Sequence, residues 1–186
     1  IDGQPMSQQK LSNILHKIRI LSTLIVTLFC QKVLADVSVN INLIDAEHHY
    51  AKVVMVIPPS ANDTINLTLP TWRTGRYEIL NLSDGIREFS AFNKFNYSLS
   101  WIKTDKSTWK ISGDLANGAV ISYQVYGNEL GLRTRHIDDS HAFLDASAVV
   151  MYTEETRSEK HIITLDVPEN WRSVTGLNKG SQPHQF

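Results

Sequence analysis

The stretch Val37-Ser38-Val39-Asn40-Ile41-Asn42-Leu43 sets the pattern for most of the chain. Its apolar and polar residues alternate, and because successive side chains of a β-strand point to opposite faces, the alternation predicts a half-buried strand. The same alternation recurs over 64–69 and 120–126, whereas the continuous apolar run 53–57 predicts a strand buried on both faces. Many short strands with little helical periodicity predict an all-β fold, either an antiparallel sandwich or a curved sheet.

Turn signals support this division into strands. The tripeptide Asp105-Lys106-Ser107 predicts a tight turn that joins Trp101-Ile102 to a second strand around Trp109. Helical patterns are weak: one or two turns are predicted for 77–82, and the segment 146–152 is ambiguous.

The residues before Asp36 have the features of an export signal. A basic stretch after Met6 is followed by the apolar run Ile20 to Cys30 and by the small residue Ala35. As a helix, that run would extend about 16 Å against roughly 30 Å of hydrocarbon. We therefore predict a signal peptide that is cleaved after Ala35, and a periplasmic or extracellular protein. An uncleaved membrane anchor is the alternative, and the membrane is expected as a partner only through this segment.

Composition and length fit one ordinary domain. The 186 residues are 42% hydrophobic, with a formal net charge of -1 that gives no reason to expect nucleic acid as a partner. We predict upstream residues and a signal over 1–35, a β-domain over 36–172, and over 173–186 the start of a linker or of another domain. The single cysteine, Cys30, lies in the signal, so the exported part is expected to be stable without disulfides.

Residues that could carry chemistry are few. The H-E-x-x-H sequence of zinc peptidases is absent. His136 and His141 are five residues apart, which on a helix would separate them by about 140°. In a loop they could ligate a metal together with Asp138 and Asp139. We favour the alternative, a polar loop whose aspartate and histidine side chains hydrogen-bond the backbone and fix its shape.

The aromatic residues allow two interpretations. The four tryptophans and four of the tyrosines could present a stacking surface for sugars, which would make the chain a self-contained exported binding module. These residues are Trp72, Trp101, Trp109, Trp171, Tyr77, Tyr97, Tyr123 and Tyr126. Aromatic side chains are also common in ordinary sheets, and core or cross-strand packing is the interpretation that we favour.

Five short motifs resemble, in order, the N-terminal domain of glycyl aminopeptidase-type zinc metallopeptidases. The resemblance covers roughly Val37 to Trp171. One departure is Arg73-Thr74, where the family often has a proline before the glycine. The matches are P-x-W-x-x-G-x-Y at 70–77, K-x-D…W at 103–109, Y-x-V-Y at 123–126, D-x-x-H-A-F at 138–143 and P-x-x-W at 168–171.

The resemblance implies a non-catalytic β-domain that braces a downstream catalytic domain and shapes one wall of its substrate cleft. Zinc and its ligands would belong to that other domain, so no catalytic residue, metal ligand or cofactor is predicted for this chain. The implied partners are the catalytic domain of the same chain and a peptide substrate of the whole enzyme. The loop 133–141 is the candidate for substrate contact. The candidate cleft or interface residues are Trp72, Gly75, Tyr77, Arg135, Asp139 and His141.

Overall fold

A computed structural model describes residues 36–72, 77–129 and 135–186, together with His16. The predicted export signal and Gly75 lie outside these ranges. Within them the regular secondary structure is almost entirely strand, which confirms the all-β prediction. None of the described helices is long and apolar enough to cross a membrane. The strands are β1 (Val37–Asn42), β2 (Tyr50–Ile57), β3 (Thr64–Thr68), β4 (Ile86–Asn93), β5 (Ser100–Lys103), β6 (Thr108–Ser112), β7 (Ala119–Tyr126), β8 (Arg135–Ile137), β9 (Ala142–Leu144) and β10 (His161–Asp166). The helices are α1 (Ala146–Val149) and 3-10 turns at Ala46–His48 and Leu82–Gly85.

The strands form two main sheets and a hairpin. The larger sheet has the order β10-β1-β2-β7-β4, the smaller one β3-β6-β5, and β8 pairs with β9 alone. The predicted hairpin at 105–107 is confirmed, since β5 and β6 are antiparallel and the Asp105 carboxylate accepts a hydrogen bond from Ser107 N at 2.8 Å. The pairing of β1 with β10 is parallel, which departs from the antiparallel arrangement expected from the sequence.

The two sheets share one core. Alternate residues of β1, β2 and β7 pack with Leu67 of β3 and Ile111 of β6, both of which are fully buried. Phe89 of β4 lies between the layers: its ring stacks on Trp109 of β6 at a centroid distance of 5.3 Å and on Tyr123 of β7 at 6.3 Å. Core packing is thus confirmed for two of the aromatic residues singled out in the sequence, Trp109 and Tyr123.

Strand β2 corrects one expectation. The run 53–57 was predicted to be buried on both faces, but Val56 is 46% exposed and Val54 only partly covered. Among the described residues, no layer covers the outer face of the larger sheet along this strand. A single buried face is the usual arrangement in antiparallel sheets, and valine is tolerated on the open face because it suits the strand backbone.

Strand β7 is tied to the segment after α1 by a buried hydroxyl. Tyr123 Oη donates to the carbonyl of Val149 at 2.9 Å and accepts from Met151 N at 3.3 Å. Its side chain is fully buried, and that burial raises the pKa of the Tyr123 phenol, while the hydrogen bond with Met151 acts in the opposite direction. The Tyr123 side chain therefore packs between the two sheets and also fixes the chain around Val149 and Met151.

Strong base should unfold the domain partly through Tyr123. The folded pKa lies above the ordinary value of 10.0, so this phenol stabilises the fold fully below that pH and loses its contribution as pH rises beyond it. We expect the free energy of unfolding, measured by urea titration on both sides of about pH 10, to fall more steeply in the parent than in Tyr123→Phe. Parallel losses in the two proteins would contradict this assignment.

The chain from 184 to 186 lies along the outer edge of β10. Ile163 and Phe186 exchange two backbone hydrogen bonds of 2.9 Å, and Leu165 N donates to the carbonyl of His184 at 3.0 Å. These bonds satisfy backbone groups of β10 that would otherwise be unpaired at the edge of the sheet.

Candidate functional site

Arg135, one of the candidate residues, is hydrogen-bonded to the stretch of chain that follows Tyr77, another candidate. Leu80 N donates to the carbonyl of Thr71 at 2.9 Å, which closes the loop that contains Trp72 and Tyr77. The carbonyl of Leu82, two residues after Leu80, accepts a hydrogen bond from Arg135 Nη2 at 2.8 Å. The fold thereby connects segments that lie far apart in sequence.

Arg135 is the clamp of this end. Its side chain is only 7% exposed, and its guanidinium donates to three backbone carbonyls: Nε to Tyr126 at 2.6 Å, Nη1 to Ala148 at 2.7 Å and Nη2 to Leu82. Burial lowers the pKa of Arg135, the charge of Glu129 raises it, and that of Arg87 lowers it. Because the carbonyls belong to β7, α1 and the second 3-10 turn, one side chain joins three separate elements.

Gly85 makes room for this clamp. A Cβ atom at Gly85 would lie 1.8 Å from Arg135 Nη2. That distance is far inside van der Waals contact, so any side chain at Gly85 would have to displace the guanidinium from its carbonyls. Position 85 needs glycine because of space and not because of backbone conformation, since the φ angle of Gly85 is not in the left-handed region.

The loop between β8 and β9 is shaped by one carboxylate. Asp138 Oδ1 accepts hydrogen bonds from Ser140 N at 2.8 Å, Ser140 Oγ at 2.7 Å and His141 N at 2.9 Å, while Oδ2 contacts His136 Nε2 at 2.8 Å. The Ser140 hydroxyl, followed by His136 and the two amides, holds the pKa of Asp138 well below its usual range. This is the loop-shaping role favoured from the sequence.

The same loop brings both candidate histidines together. The ring centroids of His136 and His141 are 5.0 Å apart, and one ligand atom each from His136, Asp138 and His141 lie within 4.8 Å of one another. His136 is buried and His141 is exposed. Asp139, the fourth residue considered as a ligand, is exposed and stands outside this group.

The group does not fit the zinc site of a peptidase. Its histidines flank a turn, whereas the peptidase motif places two histidines on one helical face with a glutamate beside them. The only carboxylate in the group is already bound by two amides and a hydroxyl.

Two of the candidate interface residues, Trp72 and Tyr77, and their neighbour Ile79 expose large side chains. Trp72 is 55% and Tyr77 93% exposed, and Ile79, which sequence reasoning did not single out, is 81% exposed. All three lie between Thr71 and Leu80, whose backbones are joined by a hydrogen bond.

A groove elsewhere on the domain was not anticipated from the sequence. It has a volume of about 480 Å³ and lies beside β1 and β10, where Ile41, Leu43 and Leu165 meet Phe143 of β9 and Trp171. Its lining comes from five separate stretches of chain, so no local sequence pattern could have revealed it. Trp171 thus lines this groove, whereas Trp109 is buried between the sheets.

Comparisons with known proteins identify the family of this domain. Residues 38–186 match the family of the peptidase M61 N-terminal domain. A solved structure, an aminopeptidase N family protein from Idiomarina loihiensis, superposes with a TM-score of 0.73 at 25% identity over 80% of this chain. The match spans 25% of that protein's length. Comparison with curated proteins gives no match. With the family match extending over most of its length and the fold agreeing with it, the chain belongs to the peptidase M61 N-terminal domain family.

Proposed function

We propose that this chain is the non-catalytic N-terminal β-domain of an exported zinc aminopeptidase, and that it braces the catalytic domain and forms part of the cleft wall. The observation that carries the proposal is the family match over 38–186. The structural similarity to a quarter of an aminopeptidase N family protein supports it, because the remaining three quarters of such a chain provide room for a catalytic domain.

The chemistry of the whole enzyme is proposed to reside outside this chain. The sequence has no H-E-x-x-H motif, and the described His136–Asp138–His141 group does not fit a peptidase zinc site. The chain's own contribution is shape: the Arg135 clamp fixes the end of the sandwich, and the neighbouring loop exposes Trp72, Tyr77 and Ile79. We assign the brace to this end of the domain.

The purified chain should hydrolyse no aminoacyl chromogenic amide above the buffer rate, with or without added zinc. A parallel sample with a chelator and one of His141→Ala provide the controls. Chelator-sensitive hydrolysis that disappears in His141→Ala would overturn the non-catalytic assignment and place chemistry in the histidine loop.

The coding sequence downstream of Phe186 gives a second and cheaper test. An H-E-x-x-H motif within a few hundred codons is the expected result, since that motif builds the zinc helix of this type of enzyme. A stop codon directly after Phe186 would instead favour the alternative, a self-contained exported binding module.

A further inference from the structure

The loop between β8 and β9 holds three donors in an arrangement close to that of a bound metal ion. Asp138 stands between the two imidazoles, with Oδ2 at 2.8 Å from His136 Nε2 and Oδ1 at 3.4 Å from His141 Nδ1. Around a tetrahedral zinc ion with ligands at about 2.1 Å, neighbouring donors are about 3.4 Å apart. Since the three ligand atoms already lie within 4.8 Å of one another, small side-chain rotations would bring them into ligating distance.

The donor types restrict the ion. Two imidazole nitrogens and one carboxylate oxygen suit Zn²⁺ and its first-row neighbours such as Co²⁺ and Ni²⁺. Mg²⁺ and Ca²⁺ prefer sets made of oxygen alone. The partial exposure of Asp138 and His141 leaves the remaining coordination positions to water.

The imidazole of His136 offers one nitrogen to the site and keeps the other outside it. Its Nε2 atom contacts Asp138, whereas its Nδ1 atom, on the other side of the ring, is buried and has no hydrogen-bond partner in the described ranges. Nδ1 is therefore available to carry the ring proton when Nε2 coordinates an ion, which keeps the imidazole neutral. His136 also belongs to the single group of potential metal ligands found in those ranges.

We propose that His136, Asp138 and His141 form a non-catalytic site for a first-row divalent cation, with zinc as its best-fitting occupant. The ion takes the place of the proton between His136 Nε2 and Asp138 Oδ2, and that proton moves to Nδ1, so the imidazole stays neutral. The ion also displaces the Ser140 hydroxyl from His141 Nδ1. It fastens the turn between β8 and β9, directly beside the Arg135 clamp. This departs from the absence of a cofactor expected from the sequence and is independent of the proposed function.

Zinc binding by the purified chain tests the proposal. Cys30→Ser is introduced into every sample, because that thiol is itself a zinc ligand. Titration of Zn²⁺ in an isothermal calorimeter should show one equivalent bound, and Co²⁺ should give visible absorption bands of a site with nitrogen ligands. His141→Ala and Asp138→Asn should each weaken Zn²⁺ binding by roughly tenfold or more. Asparagine keeps the acceptor that shapes the turn, so Asp138→Asn leaves the loop's local bonds available.

Two matched variants control for surface binding. His48→Ala removes another exposed histidine, and Asp139→Asn removes the neighbouring exposed carboxylate. Both should bind Zn²⁺ as the parent does. The proposal is overturned if the parent takes up no stoichiometric Zn²⁺, or if His141→Ala and Asp138→Asn bind it as tightly as His48→Ala and Asp139→Asn.

Discussion

Replacing Arg135 with methionine should cost at least about 3 kcal/mol of folding free energy. The guanidinium donates to the carbonyls of Leu82, Tyr126 and Ala148, and methionine fills similar space without a donor. A buried carbonyl left without its partner costs about 1–3 kcal/mol, and three such groups lose their donor together. Urea unfolding at neutral pH measures the loss as a lower midpoint with an unchanged slope.

The matched control for this substitution is Arg157→Met. Arg157 is also an arginine with a defined partner, since Nη1 lies 3.3 Å from a Glu154 carboxylate oxygen, but both side chains are mostly exposed. Exposed ion pairs contribute about 0–1 kcal/mol, so this variant should remain close to the parent. Equal losses in the two variants would show that the buried carbonyl contacts do not carry the stability assigned to them.

Replacing Tyr123 with alanine should cost about 3–5 kcal/mol or more. The ring is fully buried and stacks with Phe89, and its removal leaves a cavity between the two sheets. The hydroxyl is lost as well, so the carbonyl of Val149 and the amide of Met151 lose their partner. The free energy of unfolding, measured again by urea titration, should reveal both contributions.

A graded series separates the two contributions. Tyr123→Phe retains the ring and removes only the hydroxyl, so it should cost about 1–3 kcal/mol. Tyr77→Ala, at a side chain that is 93% exposed, should change stability by no more than about 0.5 kcal/mol. If Tyr123→Phe were as damaging as Tyr123→Ala, the hydroxyl contacts alone would determine stability, and the stacking would contribute little.

The strands with regular alternation were predictable, and β4 shows why others were not. Its register shifts between Arg87 and Ser90, with Glu88 at a φ of 48°. Before the bulge an even-numbered residue, Ile86, faces the core. After it the odd-numbered residues Phe89 and Ala91 face the core. A period-two search therefore finds no strand in a segment that nonetheless completes the larger sheet.

Part of the candidate site was predicted from the sequence. The spacing of His136, Asp138 and His141 was recognised, and the turn built on Asp138 agrees with the favoured interpretation. The role of Arg135 could not be deduced from the sequence. Its three partners are backbone carbonyls of distant segments, and because every residue has a backbone carbonyl, no residue type identifies them. The need for glycine at Gly85 has the same origin, since only the folded chain brings Arg135 against it.

The parallel pairing of β1 with β10 has a consequence for biosynthesis. Val37 lies opposite His161, so the first described strand meets its outer neighbour only after nearly all of the domain has left the ribosome. Until then the edge of β1 is an open row of backbone donors and acceptors, available to any other extended chain. Contacts so distant in sequence also slow folding. During synthesis the edge of β1 therefore stays open to wrong pairing until residues 161–166 are added beside it.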